Sequence, residues 1–172
     1  MSLLYENDIS NTVFLAGDSH ASWVSDLVWL GEKDYDARTG AGSIGVEFAG
    51  SAVSSPCPLG QNTTMAAALL ASAWVMGANA ELQWQAIYYR GYFELEIGHD
   101  ALRAEYFGLP TYATRNGYEI SLANFTVLPG ENRLHRTVAG GTVEFGSLKG
   151  GKILMENVTH DTGSGKWFVF DY

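Results

Sequence analysis

Thr12-Val13-Phe14-Leu15-Ala16-Gly17-Asp18-Ser19-His20 is the stretch on which the reading of this chain turns. The apolar run from Val13 to Ala16 predicts a buried strand. Gly17 cuts it short, which puts Asp18, Ser19 and His20 on the loop at its carboxyl end, where α/β proteins build their sites. A carboxylate and an imidazole two residues apart on such a loop can face one cleft. Both are good ligands for a divalent or trivalent metal. Ser19 beside His20 also leaves nucleophilic catalysis open. The plainer alternative is a polar turn in which Asp18 caps the next segment.

Outward from this loop, residues 2–7 read as the end of a helix, and the apolar segment from Trp23 to Leu30 as a short helix or an extended wall. Residues 31–42, with three acidic groups, read as a surface loop. Ile44, Val46, Phe48 and Ala49 predict a second strand, ended by Ser54-Ser55-Pro56-Cys57-Pro58 because proline cannot continue a central ladder. Residues 64–78, rich in Ala, Leu and Met, predict the main helix. Residues 82–89 are ambiguous. Tyr92 to Ile97 and Leu102 to Phe107, around the Gly98-His99-Asp100 turn, predict a hairpin. Beyond Gly108 the pattern becomes short strands and glycine turns, and a boundary is expected near Thr111. Trp167, Phe168 and Phe170 read as strand residues facing a core, or else a docking surface.

The chain has 172 residues, 47% hydrophobic and 17% charged, with 20 glycines. This is a globular composition of a size that buries a core, with a lean towards sheet and turns. A formal charge of −9 argues against a nucleic-acid partner and against a polybasic membrane anchor, and it suits a cation binder. Cys57 is the single cysteine, so there is no intrachain disulfide and no cysteine-based zinc cluster. The first residues lack the basic and apolar regions of a signal peptide. Sequons at Asn62, Asn124 and Asn157, where chance gives about one, hint at secretion.

Three segments, Thr12 to Leu27, Gly45 to Pro56 and Arg90-Gly91-Tyr92-Phe93-Glu94-Leu95-Glu96-Ile97, occur in an order that resembles the carboxyl-terminal part of the PhoD-like alkaline phosphatases, a branch of the metallophosphoesterases. The resemblance covers about residues 3 to 109. It implies an α/β layered fold, part of the αββα sandwich of that superfamily, over residues 1–110, with a β-rich carboxyl-terminal extension over 111–172. It further implies hydrolysis of phosphomonoesters and phosphodiesters at a multinuclear centre of iron with calcium, and a secreted protein. The G-D-x-H element matches at Gly17, Asp18 and His20, which makes Asp18 and His20 the expected metal ligands. Gly17, Ser19, Ser54 and Ser55 are expected to line the site.

The family's remaining ligands come from strands that precede this point. Two ligands cannot hold a multinuclear centre, since calcium alone takes about six to eight oxygens. The expectation is therefore a fragment, inactive alone, completed by a missing amino-terminal half or by self-association, with an exposed sheet edge where that half would sit. A second enzyme class, the SGNH or GDSL esterases, would make Ser19 a nucleophile. It needs a G-x-N-D block and a late D-x-x-H, and neither is present. A non-catalytic remnant or binding module is the third reading.

Overall fold

The structure is a computed structural model that describes residues 2–154 and the backbone of residues 157–161 and 166–170. A short helix, α1 (Ser2–Glu6), leads into β1 (Val13–Ala16). Then come β2 (Ser22–Leu27), β3 (Gly45–Ala49), the main helix α2 (Met65–Ala78) and β4 (Leu82–Ala86). β5 (Arg90–Ile97), β6 (Leu102–Leu109) and β7 (Ile120–Val127) form a meander. A 3-10 turn (Val138–Gly141) precedes three two-residue strands, β8 (Thr142–Val143), β9 (Ser147–Leu148) and β10 (Lys152–Ile153). β11 (Asn157–Asp161) and β12 (Lys166–Phe170) pair as an antiparallel ribbon. The side chains of that ribbon, including Trp167, Phe168 and Phe170, lie outside the described residues.

One sheet has the order β1-β3-β2-β4-β9, with β1 and β3 parallel and the other pairs antiparallel. The second sheet is β5-β6-β7, antiparallel throughout. The two pack through Trp84 of β4, whose ring lies 4.9 Å from Tyr106 of β6 and 5.4 Å from Phe125 of β7. Val24, Val46 and Phe48 join that core from the first sheet, and Leu122 and Val127 from the second. Trp23, one residue before Val24 and so on the opposite face, packs against a second cluster of Ala21, Ile87 and Ala68 of α2. The layers are therefore helix, sheet, sheet: a mixed α/β arrangement, as the sequence predicts.

α2 starts where Thr64 Oγ1 accepts from Ala67 N at 3.2 Å, an N-cap that satisfies an orphan donor. Its residues carry no charge, so the carboxyl end is compensated from elsewhere. Lys149 Nζ donates to the carbonyls of Met76, Asn79 and Ala80, a cation at the negative end of the helix dipole. Among the described residues no helix is long and apolar enough to cross a membrane.

One expectation needs amending, and two open readings are decided. Val13 to Ala16 is a strand but not a buried one: β1 is the sheet edge, with Phe14 42% and Leu15 61% exposed. Of the two readings of Trp23 to Leu30 the extended one holds over Ser22–Leu27, which forms the centre of the sheet. The ambiguous 82–89 segment supplies β4, buried along its whole length.

Candidate functional site

The candidate loop follows β1 directly. Ser19 N donates to Gly17 O at 2.9 Å, so the chain reverses within three residues. Asp18 and His20 carry the reversal, at φ 70° and 57°. For residues with a Cβ this left-handed conformation costs about 1–3 kcal/mol each, and such strain gathers at functional sites. Gly17 does not carry the turn. It is not left-handed, and a Cβ there would meet nothing within 4 Å.

The turn sets the His20 ring across a neighbouring segment, with Nδ1 2.9 Å from the carbonyl oxygen of Pro56. A carbonyl can only accept, so Nδ1 carries a proton, and in the neutral ring Nε2 is then the nitrogen with the lone pair. An imidazole held in this way by a backbone carbonyl has the tautomer and fixed orientation typical of a metal ligand. Asp18 is exposed on the same turn, and no N–H or O–H of a described residue donates to its carboxylate. The capping role is therefore not realised. Ser19 Oγ donates to Ala21 O at 3.3 Å, and no imidazole is bonded to it, so no activated serine is assembled.

Ser54 is exposed, while Ser55 enters through its backbone. The Ser55 carbonyl and that of His20 both accept from Arg90 Nη1, at 3.3 and 2.6 Å. Arg90 Nη2 donates to the carbonyls of Ile87 and Tyr88. Burial pushes this guanidinium below its usual pKa, partly offset by Cys57 and Tyr112. It is the one charged residue lining a cavity of about 190 Å³ formed with Cys57, Thr63, Tyr88 and Tyr112. In the sequence Arg90 figures only as the first residue of the Arg90–Ile97 segment that carries the resemblance. The available signal was a lone cation opening an otherwise apolar and acidic segment.

The loop thus brings His20 together with the Ser55–Pro56 segment, and leaves the Asp18 carboxylate open to solvent. Among the described residues no three His, Cys, Asp or Glu side chains converge as a metal-binding group. The donor chemistry of Asp18 and His20 fits a metal, but as part of a ligand set rather than the whole of one.

Comparison with known proteins follows the same line. A family model described as PhoD-like phosphatase matches residues 1–106. No curated protein matches the chain. A solved structure titled "Structure of PhoD" is similar at 20% identity with a TM-score of 0.57, over 88% of this chain and 26% of that one. At that identity the likeness speaks for the fold, and this chain spans about a quarter of the solved one's length. The family match takes in both sheet-forming halves of the helix-bearing region, and with it the Asp18–His20 turn: this chain belongs to the PhoD-like phosphatase family.

Proposed function

We propose that Asp18 and His20 are two ligands of a metal-dependent phosphoesterase site, with the other ligands supplied by polypeptide beyond these residues or by a second copy. The observation that carries this reading is the His20 ring, protonated at Nδ1 by its bond to the Pro56 carbonyl, with Nε2 free. The left-handed backbone at Asp18 and His20 supports it, since such strain gathers at functional sites. Metal ions there, iron and calcium by resemblance, supply the charge that polarises phosphoryl oxygens and acidifies a bound water.

In that site this chain's own residues bind and orient. Asp18 offers an unencumbered carboxylate, and the Pro56 carbonyl keeps the His20 proton on the far side of the ring. Gly17, Ser19, Ser54 and Ser55 line the approach. The substrate is a phosphate monoester or diester. Sequons at Asn62 and Asn124, both exposed, favour a secreted protein. The free edge of β1, with Phe14 and Leu15 uncovered, is where the rest of the fold would add a strand.

Calorimetric titration of the chain with manganese, calcium and iron tests the reading. A single weak site for at least one cation is expected, lost in both Asp18→Asn and His20→Ala. Equal binding by wild type and both variants would exclude these residues as ligands. Hydrolysis of a chromogenic phosphate ester is expected only when the completing polypeptide is present.

A further inference from the structure

His20 and Pro56 are 36 residues apart, and their hydrogen bond joins two irregular loops rather than two strands. The paired strands β1 and β3 lead into these loops, but among the described residues no ladder bond reaches His20 or Pro56 themselves. Arg90 is placed to fix their spacing. It opens β5, is 1% exposed, and its Nη1 touches both loops at once through the carbonyls of His20 and Ser55. Nη2 extends the same fork to Ile87 and Tyr88 in the turn between β4 and β5.

The chemistry of this arrangement is uncommon. Buried guanidinium groups normally meet a carboxylate, because desolvating an unpaired charge is costly. Among the described residues no carboxylate is paired with Arg90, and its Nε has no partner. An apolar side chain would fill the same space without that cost. Only a planar fork with several donors can gather carbonyls from three separate segments.

We propose that Arg90 is a positioning residue for His20: by gripping the His20 and Ser55 carbonyls with one nitrogen, it sets the separation across which His20 Nδ1 reaches the Pro56 oxygen. The imidazole is thereby held as the Nδ1-protonated tautomer, with Nε2 presented in a fixed direction. The value of this for metal binding rests on the reading of His20 as a ligand, whereas the effect on the ring does not.

The test labels histidine with nitrogen-15 and reads the His20 ring shifts in metal-free wild type, Arg90→Lys and Arg90→Gln, alongside manganese affinity by calorimetry. Wild type is expected to show the Nδ1-protonated tautomer. Arg90→Gln is expected to give a tautomer mixture and about 10–100-fold weaker manganese binding, the usual effect of losing an outer-shell partner. Arg90→Lys, which keeps the charge but not the fork, is expected to fall between. It carries the test if circular dichroism shows that Arg90→Gln is unfolded. An unchanged tautomer in a folded Arg90 variant overturns the proposal. Should wild type bind no manganese while its His20 tautomer is lost in the variants, the positioning role stands and the metal reading falls. Should His20→Ala abolish binding while the Arg90 variants keep both tautomer and affinity, the metal reading stands and the positioning role falls.

Discussion

Asp26 and Arg136 lie 110 residues apart in sequence, yet Arg136 Nη2 sits 2.5 Å from Asp26 Oδ2 and the carboxylate is wholly buried. The other oxygen accepts from Leu134 N at 2.8 Å, and Tyr35 Oη donates to Oδ2 at 2.8 Å. The carboxylate thus ties the central strand β2 to two loops, one before β3 and one before the 3-10 turn. Asp26→Asn keeps the shape but leaves Arg136 facing an uncharged amide in a buried setting. A loss of about 3–5 kcal/mol is expected, as for other broken buried pairs. Replacing both partners, as Asp26→Leu with Arg136→Met, should cost much less. Denaturant unfolding of the three chains checks this, and equal losses for single and double variants would show that the charge pairing is not the cause.

The edge strand gives a prediction of opposite character. Leu15 is largely exposed on β1, so Leu15→Lys removes little buried area from this chain. Its stability should change by no more than about 0.5 kcal/mol. A charge on a free sheet edge discourages pairing with another strand, so any self-association seen for wild type in sedimentation should weaken. A destabilisation near that of a core truncation would mean that β1 is covered.

How much of this could be read from the sequence depended on whether the signal was local. Thr64 before an Ala- and Leu-rich run, and Gly98-His99-Asp100 between alternating segments, specify α2 and the β5–β6 hairpin through short-range chemistry, and both stand where expected. β1 was legible as a strand but not as an edge, because four apolar residues look alike with one neighbour or two. Asp26 inside an apolar segment gave no clue to its fate, since its partners Leu134 and Arg136 lie far along the chain. The candidate site divides in the same way. Asp18 and His20 were visible as a motif, whereas the partners of the His20 ring and of the Arg90 fork are backbone carbonyls, which have no residue signature.

Alkaline pH should weaken the fold through two phenols, the half-buried Tyr35 and the buried Tyr106. Burial first, and then the neighbouring Asp26 charge and hydrogen bond, push the Tyr35 hydroxyl well above its ordinary 10.0, against a smaller opposing pull from Arg136. Burial does the same to Tyr106. The unfolded chain ionises these groups first, so the folded state binds more protons above that value. Their contribution is complete below about pH 10 and is lost as pH rises towards the folded values. Unfolding free energy measured from roughly pH 8 to 11 should decline over the upper part of that range. Tyr35→Phe should be less stable at neutral pH, having lost a donor to Asp26, but flatter in its alkaline limb. An unchanged slope would remove Tyr35 as a cause.

Gly91 offers a test that joins the fold to the candidate site. It follows Arg90 in β5, opposite Gly108 of β6, and a Cβ there would lie 1.9 Å from the Phe107 carbonyl oxygen. No side-chain rotation relieves a clash between a Cβ and a backbone oxygen, so Gly91→Ala must part the two strands locally. A cost of about 1–3 kcal/mol is expected from overpacking alone. The displacement falls on the residue next to Arg90, whose fork depends on carbonyls in fixed places. The variant should therefore lose the ordered His20 tautomer as well as stability, under conditions where it is still folded. Gly98→Ala in the hairpin turn is the matched control: its Cβ would come no nearer than 3.5 Å to the Ala101 oxygen. That change should alter stability by less than about 1 kcal/mol and leave the His20 ring as it is in wild type. If Gly91→Ala loses stability but keeps the tautomer, the start of β5 and the His20 loop are mechanically independent, and the Arg90 link between them is too slack to matter.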